Sequence, residues 1–133
     1  MYTIGIDLGG TNIVASVVND EYKIIATSKT PTNSPRSADE IFDDIAEVCE
    51  EAVKNAGLTM DDIESVGMGT PGTVNADGII EFANNLAFNN VPARTMLAKR
   101  LNKPEEKVFI ENDANCAALG EAKAGVGNGC IGR

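Results

Sequence analysis

An α/β fold, a mixed sheet with helices on its faces, is what this 133-residue sequence predicts. Three observations carry the prediction. The chain opens with three runs of strand-forming residues in close succession. A helical stripe with its own start signal follows. Short apolar runs then alternate with helical segments, which packs helices against a sheet. The order reads β-β-β-α-β-α-β-α, with a small hairpin after the fourth strand and no internal repeats or low-complexity segment.

Residues 2–8 (YTIGIDL) and 13–18 (IVASVV) read as strands, and Asn19-Asp20-Glu21 turns the chain into a third, about 22–29. A loop from Thr30 to Arg36 carries two prolines. Ser37-Ala38-Asp39-Glu40 is a capping box, in which the Ser and Glu side chains satisfy each other's backbone donors. Ile41, Ile45, Val48, Ala52 and Val53 continue it as an apolar stripe at helical spacing, and Gly57 ends the helix. After an acidic turn at 60–62, Ile63 to Thr70 reads as a buried strand broken by Pro71-Gly72. Thr73 to Phe82 reads as a hairpin turning at Asp77-Gly78. An Asn-rich loop (Asn84, Asn85, Asn89, Asn90) leads to Pro92, suited to a first helical position, and a helix to about Asn102. Val108–Glu111 is a short strand, Asn112 a cap for a helix over 114–124, and 125–133 a glycine-rich tail.

Bulk composition narrows the function classes. A net charge of −9 lacks the basic face that phosphate neutralisation needs, so no nucleic-acid partner is expected. No apolar run approaches the roughly 20 residues that span a bilayer, and the N-terminus lacks a signal-peptide pattern, so no membrane partner and a cytoplasmic location are expected. Cys49, Cys116 and Cys130 are odd in number and widely spaced, which reads as reduced thiols rather than a disulfide framework. The absence of histidine excludes a His general base and His-ligated zinc within these residues.

Four stretches are candidates for chemistry. In Asp7-Leu8-Gly9-Gly10-Thr11-Asn12, between the first two strands, Gly9 and Gly10 permit close approach of backbone to a ligand and permit positive φ, and Thr11 and Asn12 add a hydroxyl and an amide. Exposed backbone N–H groups there can wrap phosphate oxygens, and Asp7 can orient a hydrated Mg²⁺. The stretch is neither a Walker loop nor a dinucleotide fingerprint, and it equally reads as a decorated hairpin turn. In Glu111-Asn112-Asp113, a strand meets a helix, where α/β sheets hold ligands. The helix dipole keeps Asp113 ionised, so it can accept a hydroxyl proton beside the Asn112 amide; a plain N-cap is the alternative. "GMGTPGTV" at 67–74 suits a tight turn beside a cleft or a structural turn. "FANNLAFNNVP" at 82–92 supplies amides that suit sugar hydroxyls, or turn filler.

Taken together, "GIDLGGTNI" at 5–13, "VGMGTPGTV" at 66–74, "NNL" at 84–86 and "IENDANCAALGEAKAGVGNG" at 110–129 resemble the N-terminal half of the ROK family of bacterial sugar kinases, glucokinase type. The resemblance implies a ribonuclease-H-like lobe of the actin/hexokinase/Hsp70 superfamily. It implies an ATP-dependent transfer of phosphoryl to a hexose, the glucose 6-OH by default. By the same resemblance Asp7, Gly9, Gly10, Thr11 and Asn12 hold the ATP phosphates, with Mg²⁺ at Asp7 through water. Asp113 is the catalytic base, and Gly72, Asn85 and Asn112 bind the sugar together with Asp113. Val14 departs from the Lys or Arg of many relatives, and "NNLAF" departs from their sugar-side sequence, which leaves the sugar open. The resemblance implies a kinase lobe over 1–124 and a tail over 125–133 leading to a second lobe, without which the chain is expected to be inactive; the full-length protein is expected to be a homo-oligomer. A sugar-binding lobe of a ROK-type transcriptional regulator is the alternative, disfavoured by the acidic charge, by a chain that starts in the first strand, and by the intact Asp7–Asn12 stretch. A non-kinase member of the superfamily, such as an actin-like ATPase or a chaperone, would share that stretch and lack "ENDAN".

Overall fold

A computed structural model of the chain describes residues 1–33, 36–70, 73–83 and 88–111. A five-stranded sheet forms its centre. It contains β1 (Tyr2–Leu8), β2 (Asn12–Val18), β3 (Ile24–Pro31), β4 (Ile63–Gly69) and a last strand, Val108–Glu111. Between the last two in sequence lies a three-stranded sheet of β5 (Thr73–Val74), β6 (Ile80–Ala83) and β7 (Phe88–Val91), so Val108–Glu111 is β8. The central order is β3-β2-β1-β4-β8. β1 pairs antiparallel with β2, and β2 with β3, while β4 runs parallel to β1 and β8 parallel to β4. The sheet is therefore mixed, as the sequence pattern predicts.

The elements form for local reasons. Asn19 closes the turn before β3: its side-chain Oδ1 accepts from the amides of Glu21 and Lys23 at 2.8 and 3.0 Å. Tyr22 takes a left-handed φ of 64° inside this turn, so β3 begins at Ile24 rather than at residue 22. At its other end β3 runs through Pro31, further than the two prolines suggest. It is an edge strand, where a residue without an amide donor is tolerated.

Helix α1 (Ala38–Asn55) carries the predicted capping box, with Ser37 and Glu40 bonded reciprocally, and Gly57 follows its end at φ 76°. All five stripe residues are buried, together with Phe42 and Cys49. They lie over β1, β2 and β3, on the face that carries Ile6 and Ala15. Full burial of each such aliphatic or aromatic side chain is worth about 1.5–3 kcal/mol, so this face holds the lobe together.

Strand β7 departs from the sequence pattern, which reads Asn89 and Asn90 as loop. Phe88 and Val91 are buried at its two ends, and Phe88 stacks on Phe42 of α1 with centroids 6.2 Å apart. That anchoring outweighs the low strand propensity of asparagine, and Asn90 absorbs the bend at φ 53°. Helix α2 (Ala93–Leu101) begins after Pro92, which stands outside as N-cap, and Asn102 ends it in the left-handed conformation. Lys103 then ties the segment after α2 to the start of β4, donating to the carbonyls of Met60 and Ile63 at 2.6 and 2.8 Å. The helix read over 114–124, the tail over 125–133, Cys116 and Cys130 lie outside the described residues.

Candidate functional site

The C-terminal ends of the parallel strands β1, β4 and β8 meet at one edge of the central sheet. There Asp7 is in register with Gly69, and Gly69 with Glu111. On the antiparallel side Asp7 faces Val14, and Val14 faces Lys29. One row thus runs Lys29, Val14, Asp7, Gly69, Glu111 across five strands, and an exposed Lys29 ends it where Val14 offers no charge. With strands about 4.8 Å apart, Asp7 and Glu111 stand roughly 10 Å from each other across Gly69.

The β1–β2 turn rises from this edge. The amide of Gly9 donates to the carbonyl of Asn12 at 3.0 Å, so the turn closes tightly around Gly10 and Thr11. A Cβ on Gly9 would sit 3.3 Å from that carbonyl, so its glycine serves close approach. Neither Gly9 nor Gly10 uses a positive φ: among the described glycines only Gly57 and Gly78 do. Among the described residues no backbone hydrogen bond takes up the amides of Gly10 or Thr11. Those two amides, the exposed side chains of Thr11 and Asn12 and the exposed Asp7 are the groups this turn can offer a ligand. The set is a short run of donors beside one carboxylate, groups that can hold phosphate oxygens.

The turn is held from behind by residues that sequence reading missed. Thr32, fully buried, donates through its hydroxyl to the Gly9 carbonyl at 2.7 Å and through its amide to the Thr11 carbonyl at 2.9 Å. Arg36 in turn forks onto the Thr32 carbonyl, at 3.1 and 2.8 Å, and onto the Asp44 carboxylate of α1 at 2.6 Å. The helix thereby fixes the turn through two side chains. A threonine after a Pro in a loop gave no local sign of this, because its partners lie 21 and 23 positions upstream.

Beyond Gly69, the Thr70 amide donates to the Glu111 carbonyl at 2.9 Å, extending the β4–β8 ladder by one residue. The hydroxyl of Thr70, a residue only 3% exposed, has no hydrogen-bond partner among the described residues. A cleft of about 310 Å³ opens next to Glu111, lined by Val74, Asn75, Ala76, Arg94, Ile110 and Glu111. That size is at the lower end of the roughly 300–1,000 Å³ typical of small-molecule sites. The sequence-predicted residues Gly72, Asn85, Asn112 and Asp113 lie outside the described residues; Glu111 immediately precedes the last two in the chain.

Among the described residues no cluster of three or more His, Cys, Asp or Glu side chains could cage a metal ion. A single exposed carboxylate beside a phosphate-type turn does fit Mg²⁺. That ion keeps most of its waters and is held by one or two carboxylates and the substrate's phosphates. No helix among the described residues is long and apolar enough to cross a membrane.

A mixed sheet opening with an antiparallel meander, with a turn of this kind over the ends of its parallel strands, defines the class: an α/β lobe of the actin/hexokinase-like fold. A solved ROK family glucokinase from Streptomyces griseus, in complex with glucose and AMPPNP, superposes with a TM-score of 0.76 at 37% identity, covering 94% of this chain and 37% of that one. Residues 3–131 match the family model described as "ROK family", and the chain belongs to that family. A glucokinase of Streptomyces coelicolor is 41% identical over 128 residues, 96% of this chain, and the chain spans 37% of its length. A xylose repressor of Caldicellulosiruptor bescii is 36% identical over 126 residues, covering 89% of this chain and 29% of that protein.

Proposed function

We propose that this chain is the sugar-side lobe of an ATP-dependent hexose kinase, with the glucose 6-OH as the default acceptor. The observation that carries the reading is the row Asp7–Gly69–Glu111. It sets the phosphate-type turn and the strand leading to Asn112 and Asp113 on one edge of one sheet, about two strand spacings apart. A glucokinase relative at 41% identity and a glucokinase structure holding glucose and an ATP analogue support it further.

In this reading the Gly10 and Thr11 amides and the Thr11 and Asn12 side chains bind the phosphates of ATP. Gly9 shapes the turn, and Asp7 holds water of a hydrated Mg²⁺. The cation, when bound, neutralises charge on the transferring phosphate. Gly72, Asn85 and Asn112 orient the sugar, and Asp113 takes the proton from the attacking hydroxyl. An Asp suffices as base because phosphoryl transfer passes through a loose transition state that asks mainly for positioning and charge neutralisation. The chain supplies base and acceptor site and is inactive without a second lobe; with it, the protein is a homo-oligomer.

The test measures ADP release by the full-length gene product with ATP, Mg²⁺ and a panel of hexoses, beside its Asp113→Asn variant. The reading expects hexose-dependent release, lost in the variant by a factor of about a hundred or more with sugar affinity nearly kept. Full turnover in the variant removes Asp113 as base. The xylose repressor relative favours a second reading, a sugar-binding lobe of a ROK-type regulator; sugar binding without any ADP release in the same assay selects it.

A further inference from the structure

We infer that Arg94 is a positioning residue for the acceptor side of the cleft, fixing the β5–β6 turn against the start of β8. This deepens the kinase reading above and rests on it. Arg94 stands at the second position of α2, and each of its polar connections crosses to another element. Its amide donates to the Gly78 carbonyl at 3.1 Å. Its Nε donates to the Val108 carbonyl at 3.1 Å, and its Nη2 reaches the Ala76 carbonyl at 3.5 Å. One guanidinium therefore bridges the β5–β6 turn of the small sheet and the first residue of β8 in the central sheet.

The turn it holds is built to receive it. Gly78 has φ 76°, and a Cβ there would lie 2.6 Å from the Arg94 Cβ and 2.9 Å from its Nε, so only glycine leaves the arginine its place. Asn75 stiffens the same turn, its Oδ1 accepting from the amides of Asp77 at 2.9 Å and Ile79 at 3.2 Å. Arg94 and Glu111 are both walls of the 310 Å³ cleft, with Asn75 and Ala76 on the side of the small sheet. The width of that cleft is set by the distance between the β5–β6 turn and β8, and Arg94 spans that distance. Its planar fork can serve two carbonyls at once, whereas a lysine offers a point charge on a flexible stem.

The experiment compares the full-length gene product with its Arg94→Met and Arg94→Lys variants, reading the sugar KM, the ATP KM, kcat and amide hydrogen exchange over 73–83. A displaced wall acts on the acceptor, and misplacements of an ångström change rates by large factors. Arg94→Met is expected to raise the sugar KM roughly tenfold with the ATP KM within about twofold, and to speed exchange over 73–83; Arg94→Lys is expected to fall between it and the parent. A merely structural arginine would lower thermal stability without separating the two KM values. A folded Arg94→Met variant with parental sugar KM overturns the inference. Where Arg94→Met fails to fold, Arg94→Lys is read by the same split, and no selective rise overturns it. If the parent phosphorylates no hexose, the kinase reading has failed, and unchanged exchange in the variants then overturns the bridging role as well.

Discussion

Two threonines at the same edge illustrate how a hydroxyl's value depends on its partner. Thr32 donates to the Gly9 carbonyl from a fully buried position, while the equally enclosed Thr70 hydroxyl meets no partner among the described residues. Thr32→Val keeps the shape and leaves the half-buried Gly9 carbonyl short of a donor, which costs about 1–3 kcal/mol. Thr70→Val removes an unpaired polar group and is expected to be neutral or slightly stabilising. Denaturant midpoints of the two variants check the contrast, and equal losses would contradict it. Cys49 gives a second residue-scale prediction. Burial, and next to it the neighbouring Glu50 charge, push its thiol well above the ordinary range. The native thiol therefore stays protonated where the unfolded one ionises, from about pH 8.5 upward. Above that pH the unfolded state binds fewer protons, so stability falls as pH rises. The stability difference between the parent and Cys49→Ala should shrink between about pH 8.5 and 10.5, measured by urea unfolding at each pH, and native Cys49 should resist alkylation at pH 8.

At the scale of elements, α1 carries two duties. Its buried face covers the central sheet, and Phe42 reaches on to Phe88 of the small sheet. Phe42→Ala is expected to lower unfolding free energy by about 3–5 kcal/mol. A double-mutant cycle with Phe88→Ala should show a coupling of about 0.5–1.5 kcal/mol, the ring contact beyond its area. Additive losses would mean that the two sheets are stabilised independently. Helix α1 was legible in the sequence because its signals are local: a capping box, a 3.6-residue stripe and a terminal glycine. Strand β7 was not, because its two buried residues, Phe88 and Val91, are three apart and break strand alternation. Tyr22 departs from its expected strand for a related reason. A residue with high strand propensity sits in a left-handed turn position held by the Asn19 hydrogen bonds.

At the scale of the molecule, the strand order brings the first strand and the last described one to either side of β4, so Asp7 and Glu111 share a row although they lie far apart in sequence. The turn residues were legible because glycine, threonine and asparagine between two strands are locally unusual. Thr32, Arg36, Asp44 and Arg94 were not, since each acts only through contacts made by the closed fold. The proposed kinase reading separates two carboxylates, Asp7 and Asp113, by task and gives them different signatures. In that reading Asp7 holds the hydrated cation, so Asp7→Asn in the full-length gene product should raise the Mg²⁺ concentration for half-maximal rate by roughly tenfold or more, leaving sugar affinity unchanged. Asp113→Asn should do the reverse of a cation defect: its residual rate should show the parental Mg²⁺ dependence. Titrating Mg²⁺ at saturating sugar, with sugar affinity measured by calorimetry in the absence of nucleotide, resolves the two. A shift in Mg²⁺ requirement from both substitutions would place both carboxylates on the cation and leave the acceptor without its base.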